Sequence, residues 1–163
     1  MSDLVVVDVL GVRRQLPSEA VVVLLLDGDG RRVLPIAVGT WEGAAIASGH
    51  AGIAPPRPMT HDLLAASLAA AGTALAHVEI VALESGTFRA DLVLANGARV
   101  DARASDAIAL AVRVKAPVMC TEAVLADAGI AVEDRETDRE VAEFRHFLDT
   151  VSPDDFGGEM GEG

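Results

Sequence analysis

The sequence predicts an α+β fold: an antiparallel or mixed sheet built from two hairpin-plus-helix halves, with the helices packed on it. Three observations lead there. Short β-branched apolar runs are separated by strong turn signals, and Ala-rich stretches of helical length follow two of the hairpins. The halves also echo each other. Gly30, Arg32 and Val33 lead through a strand to Thr40, Glu42 and the run Ala44-Ala45-Ile46-Ala47; Gly97, Arg99 and Val100 lead to Ser105, Asp106 and the run Ile108-Ala109-Leu110-Ala111. Each half reads as a hairpin feeding a helix whose first turn carries a carboxylate.

The elements follow in order. Leu4 to Leu10 reads as a strand and Ala20 to Leu26 as a second, buried one. Asp27-Gly28-Asp29-Gly30 is a turn, so Arg32 to Val38 returns as a hairpin partner. Thr40 is the expected N-cap of a helix that Gly49 and Gly52 end. Ala54-Pro55-Pro56-Arg57-Pro58 cannot be helical and serves as a stiff connector. Thr60 is expected to cap a second helix that runs to about Ala71 and stops at Gly72. Leu75 to Leu83 and Phe88 to Leu94 form strands around the turn Ser85-Gly86, and Asn96-Gly97 leads to a further strand, Arg99 to Arg103. Ser105 is expected to cap a helix from Asp106 to Val114; Pro117 to Cys120 is a short extended piece, and Thr121 caps a last helix that Gly129 closes.

With 163 residues the chain fits one domain with a real core. The expected domain covers 1–130. Residues 131–151 form a C-terminal extension containing an amphipathic helix marked by Val141, Phe144, Phe147 and Leu148, and the Gly- and acid-rich tail 152–163 is expected to be disordered. Four Phe, one Trp and no Tyr leave the core to Val, Leu, Ile and Ala. No basic segment precedes an apolar stretch at the start, and the run Ala20 to Leu26 is far short of the ~20 residues that span a bilayer. The single cysteine, Cys120, forms no internal disulfide. A cytoplasmic protein without membrane attachment is therefore expected.

Charge limits the function. The formal net charge is -12, but residues 1–120 hold twelve acids and ten bases, while 121–163 hold thirteen acids and three bases. The body is nearly neutral, so charge alone predicts no non-specific grip on long nucleic acid. Nuclease chemistry would need divalent cations or a local Arg cluster.

Three groups of residues have chemical potential. In Arg57-Pro58-Met59-Thr60-His61-Asp62, a helix start favours anions, His61 suits proton transfer, and Asp62 suits orienting it or taking a metal ion. The alternative is ordinary capping by Thr60 and Asp62. In Asp101-Ala102-Arg103-Ala104-Ser105-Asp106, two strand residues share a face and lead to a helix start. Asp101 and Asp106 suit Mg²⁺ or Mn²⁺, and Arg103 a phosphate; the alternative is an ion pair of Asp101 with Arg103 or Arg99. Glu42 is the counterpart of Asp106 in the first half, as a third metal ligand or merely a helix-start acid. His50, His77, His146 and Cys120 stand apart from one another, and no phosphate loop or zinc spacing is present.

At these same segments the chain resembles the bifunctional nuclease family. The matching phrases are Leu34-Pro35-Ile36 with the helix from Glu42, Arg57-Pro58-Met59-Thr60-His61-Asp62-Leu63-Leu64, Gly86-Thr87-Phe88, Asp101-Ala102-Arg103, and Ser105-Asp106 through Arg113. They span about 4–130. Phe147 to Phe156 is similar to the actinobacterial branch. Ala104 stands where the family pattern has Pro, and Arg89 where it has Tyr. The resemblance implies cleavage of DNA and RNA. On the matching positions chemistry suggests His61 and Asp62 for proton transfer, Arg57 and Arg103 for phosphate, and Asp101, Asp106 and Glu42 for Mg²⁺ or Mn²⁺. The rival expectation is a non-catalytic, homo-oligomeric binding or regulatory module.

Overall fold

The computed structural model describes residues 3–15, 17–132 and 145. The expected C-terminal helix and acidic tail lie outside these, residue 145 apart. The elements in chain order are β1 (Leu4–Gln15), β2 (Ala20–Asp27), β3 (Arg32–Val38), α1 (Thr40–His50), α2 (Thr60–Ala70), β4 (Leu75–Glu84), β5 (Thr87–Leu94), β6 (Arg99–Arg103), α3 (Ala104–Val114), β7 (Val118–Thr121), α4 (Glu122–Ala128) and β8 (Ile130–Ala131). The strands form one sheet in the order β6-β5-β4-β7-β1-β2-β3-β8. All neighbours are antiparallel except β4 and β7.

This order gives physical form to the echo between the halves. Two three-stranded meanders, β1-β2-β3 and β4-β5-β6, flank β7, and each feeds a helix, α1 or α3. The α+β expectation is met.

Packing follows from the aromatic-poor composition. Val23, Leu25, Leu34, Ile46, Ile80, Ile108, Leu110 and Leu125 are fully buried, and α3 is buried along Ala107, Ile108, Ala109, Leu110 and Ala111. Small residues let α1 approach closely on two sides. A Cβ at Gly43 would stand 2.5 Å from Val21 Cγ1 on β2, and one at Gly49 would stand 2.6 Å from Arg113 Nη1 on α3. Neither position has room for a methyl group without displacement of its neighbour.

The helix starts differ from expectation in an instructive way. Gly39, Met59 and Arg103, not Thr40, Thr60 and Ser105, are the N-caps of α1, α2 and α3, and none makes a side-chain cap hydrogen bond. The third residue of each helix is instead an acid: Glu42, Asp62 and Asp106. Asp62 Oδ2 accepts from the Met59 N–H at 3.0 Å, so the acid and not a hydroxyl satisfies that helix end. Only α4 is capped as expected, Thr121 Oγ1 accepting from Val124 N–H at 3.3 Å.

Two further differences concern strands. β1 runs through an irregularity between Val9 and Gly11 and continues to Gln15, because Val12 to Gln15 find partners on β2. The short piece expected at Pro117 to Cys120 is β7, the strand that joins the two meanders, and β8 adds two residues to the far edge. Among the described residues no helix is long and apolar enough to cross a membrane.

Candidate active site

α2 and α3 meet near their starts. Asp106, in the first turn of α3, presents Oδ1 to His61 Nε2 at 3.1 Å and accepts Arg103 Nε at Oδ2, at 2.9 Å. Arg103 then reaches Glu42 Oε1 with Nη1 at 3.4 Å. The result is a chain of four side chains, His61–Asp106–Arg103–Glu42, drawn from the starts of α1, α2 and α3. Of the three third-position acids, Asp106 has its two oxygens turned away from its own helix end and toward His61 and Arg103. Burial opposes its charge, but the hydrogen bonds from Arg103 and His61 outweigh that and hold its carboxyl below the usual range. Asp106 is therefore an anion at neutral pH, fixed between two cationic or proton-bearing partners.

The network borders a hollow of about 200 Å³. Its walls include Gly39 and Glu42 from the start of α1, Arg103 and Ser105 from the start of α3, and Thr87 and Phe88 from β5. Two helix ends without side-chain caps therefore open onto one space, with a guanidinium that is 64% exposed between them. The Glu42 carboxylate stands over Gly39, where a Cβ would meet Oε2 at once. His61 is only 12% exposed and, like Asp106, does not line the hollow; Arg103 and Glu42 do, and Asp106 links His61 to Arg103.

Arg113 fixes this assembly from the rear. Its Nε donates to Asp62 Oδ1 at 3.1 Å, and its Nη1 donates to the carbonyls of Ala45 at 2.8 Å and Ala109 at 3.0 Å. One half-buried guanidinium thus pins α2 to α1 and α3, and the absence of a side chain at Gly49 leaves it room. In the sequence Arg113 looks like an ordinary last-turn cation; its spacing of seven from Asp106, two helical turns on one face, was the signal available.

The expected site residues divide as follows. His61, Asp106, Arg103 and Glu42 are brought together. Asp62 has both oxygens occupied, by Met59 N–H and by Arg113. Arg57 is exposed in the connector before α2 and takes no part in the network among the described residues. Asp101 is 78% exposed on β6, with Arg89 as its ion-pair partner at 4.0 Å, and it does not join Asp106 and Glu42. Among the described residues no three His, Cys, Asp or Glu side chains gather in a group suited to a metal ion. Glu42 and Asp106 are joined by a guanidinium, which already supplies the positive charge a cation would bring.

Other polar clusters have structural explanations. Asp27, 2% exposed, accepts from Arg31 N–H and Arg32 Nε, and Arg32 grips Glu122 through two hydrogen bonds, tying the β2–β3 turn to α4. His77 Nε2 lies 2.8 Å from Glu79 Oε2, and Arg99 binds Glu79 and Asp91 across β4, β5 and β6. Burial pushes the Cys120 thiol up to about 12, so it is no nucleophile.

Two uncharacterized proteins of Mycobacterium tuberculosis, from strains CDC 1551 / Oshkosh and ATCC 25618 / H37Rv, are each 46% identical over 158 residues, covering 92% of this chain and 96% of theirs. The model of the bifunctional nuclease domain matches residues 23–133, which contain every member of the His61–Asp106–Arg103–Glu42 chain. The protein belongs to the bifunctional nuclease domain family.

Proposed function

We propose that the protein hydrolyses phosphodiester bonds of DNA and RNA at the hollow between the starts of α1 and α3. The observation that carries this reading is the His61–Asp106–Arg103 chain, in which one carboxylate orients both a proton-transfer group and an exposed guanidinium. Arg103 and the first-turn N–H groups hold the phosphate, with Arg57 on the exposed connector as a further contact for the strand. Asp106 holds His61 through Nε2, so the other ring nitrogen takes a proton from the attacking water as its oxygen bonds to phosphorus; the P–O bond to the leaving sugar oxygen breaks, and that oxygen takes up a proton from solvent. Asp62 acts through Arg113 and the α2 cap to set where His61 stands.

The test is cleavage of plasmid DNA and of a homopolymer RNA by the purified full chain, with Mg²⁺, with Mn²⁺ and with chelator. Cleavage that disappears in His61→Ala and Asp106→Ala supports the reading. Cleavage that survives in the double variant His61→Ala/Asp106→Ala overturns it. The arm with chelator decides whether Mg²⁺ or Mn²⁺ takes part.

A second reading, a non-catalytic homo-oligomeric module, is favoured by one observation. α2 has no buried residue, and Met59, Leu63 and Leu64 at its start are exposed. A mass measurement in solution that gives a monomer would remove that support.

A further inference from the structure

The β1-β2-β3 meander carries apolar residues on both of its faces. Helices α1, α3 and α4 pack on the face that presents Val21, Val23 and Leu25 of β2. Side chains alternate along a strand, so Val22, Leu24 and Leu26 point to the other face. There Leu24 is paired with Pro35 and Leu26 with Val33 on β3, and Val33 in turn with Ile130 on β8. None of these belongs to the core cluster that the helices complete. A sheet with one face in water sets polar residues on that face, and this one does not. Val22 is only 7% exposed although it points away from the helices, and Ile130, at the edge of the patch, is 59% exposed. This is the pattern of a sheet that is covered on both sides.

The course of the chain identifies the cover. Val132 leaves the sheet two residues past Ile130, with its N–H bonded to the Arg31 carbonyl. Eight residues, Glu133 to Glu140, then precede Val141, Phe144, Phe147 and Leu148, an apolar stripe at helical spacing. Eight extended residues reach on the order of 25 Å, whereas three strands are roughly 15 Å across. Arg145, next to the stripe, is helical and exposed. We infer that residues 141–151 dock as an amphipathic helix on the outer face of β2 and β3, with the stripe over Val22, Leu24 and Pro35. Tethering gives such a segment an effective concentration of about millimolar, which favours it over a second copy of the chain as the occupant.

A photo-cross-linker in the full chain tests this. Phe147→benzoylphenylalanine is irradiated as an equal mixture of ¹⁴N and ¹⁵N protein, and the products are mapped by mass spectrometry. Links within one chain to residues of β2 or β3 are expected. His146→benzoylphenylalanine, on the opposite side of the helix, is expected to give less than about a tenth of that yield. Links to α2 or another element, links only between ¹⁴N and ¹⁵N chains, or no links from position 147 each overturn the inference. Hydrogen exchange supplies a second measurement. Leu24→Asp places a charge under the stripe and is expected to speed amide exchange in 141–151 by about tenfold or more, while Leu63→Asp on α2 leaves it unchanged. Exchange that Leu24→Asp does not move in a folded protein overturns the inference; if Leu24→Asp does not fold, the cross-link decides. Neither measurement involves cleavage, so a failure here leaves the proposed function standing.

Discussion

His61 Nε2 and Asp106 Oδ1 lie 3.1 Å apart although 45 positions separate them in the chain. The contact exists because α2 packs against α3, and Arg113 in the last turn of α3 ties the two helices together through Asp62. It makes the two residues one hydrogen-bonded unit.

Residues that act as a unit lose their effect together. His61→Ala and Asp106→Asn are each expected to lower the cleavage rate by about 10²–10⁴-fold, and the double variant to fall little further. Single-turnover rates on one labelled oligonucleotide check this; losses that multiply would separate the two roles.

Arg103 joins two carboxylates and faces the hollow. Arg103→Lys keeps the charge but cannot serve Asp106 and Glu42 in the same fork geometry. It is expected to raise KM for nucleic acid several-fold and to reduce kcat as well, while Arg103→Ala abolishes measurable cleavage. Steady-state kinetics with Tm measured in parallel distinguishes this from unfolding.

Acid stability depends on the paired carboxylates. Hydrogen bonds from Arg99, and then from His77, outweigh burial and hold Glu79 below its ordinary range, and Asp106 is likewise lowered. A carboxyl whose pKa is lower in the folded state contributes stability that is present above its unfolded value of about 4 and is lost as pH falls through the folded value. Arg99→Gln removes the largest lowering influence on Glu79, so the acid unfolding midpoint is expected to move to higher pH. Circular dichroism between pH 7 and pH 2 reads it; superimposable acid transitions would contradict the pairing.

The close approach at Gly49 is a packing prediction. A Cβ there meets Arg113 Nη1 at 2.6 Å and Val112 Cγ2 at 2.8 Å, so Gly49→Ala is expected to destabilise the fold by about 1–3 kcal/mol despite the higher helix propensity of Ala. Urea unfolding measures it. Unchanged stability would show that Arg113 has room to yield.

Cys120 is expected to be inert in the native protein, since it is fully buried and its thiol is raised to about 12. Iodoacetamide at pH 8 should label it only in denaturant, as mass spectrometry would show.

The sequence by itself determined six of the strands and the four helices of the described residues, and the near-symmetry of the halves. These depend on local chemistry: apolar periodicity, Asn-Gly and Asp-Gly turns, and acids near helix starts. It also identified His61, Asp106, Arg103 and Glu42, because polar groups at strand-to-helix junctions stand out against an apolar background. Tertiary structure decided the rest. Only the packing of α2 against α3 brings His61 to Asp106, while Asp101 stays on β6 beside Arg89 of β5. Four residues, Val118–Thr121, carry too little pattern to be recognised as the strand between the meanders, since their place depends on partners more than 30 positions away. Arg113 and Gly49 gain their meaning only from helices packed close together. Residue type and spacing limit which groups can act; long-range packing selects which of them meet.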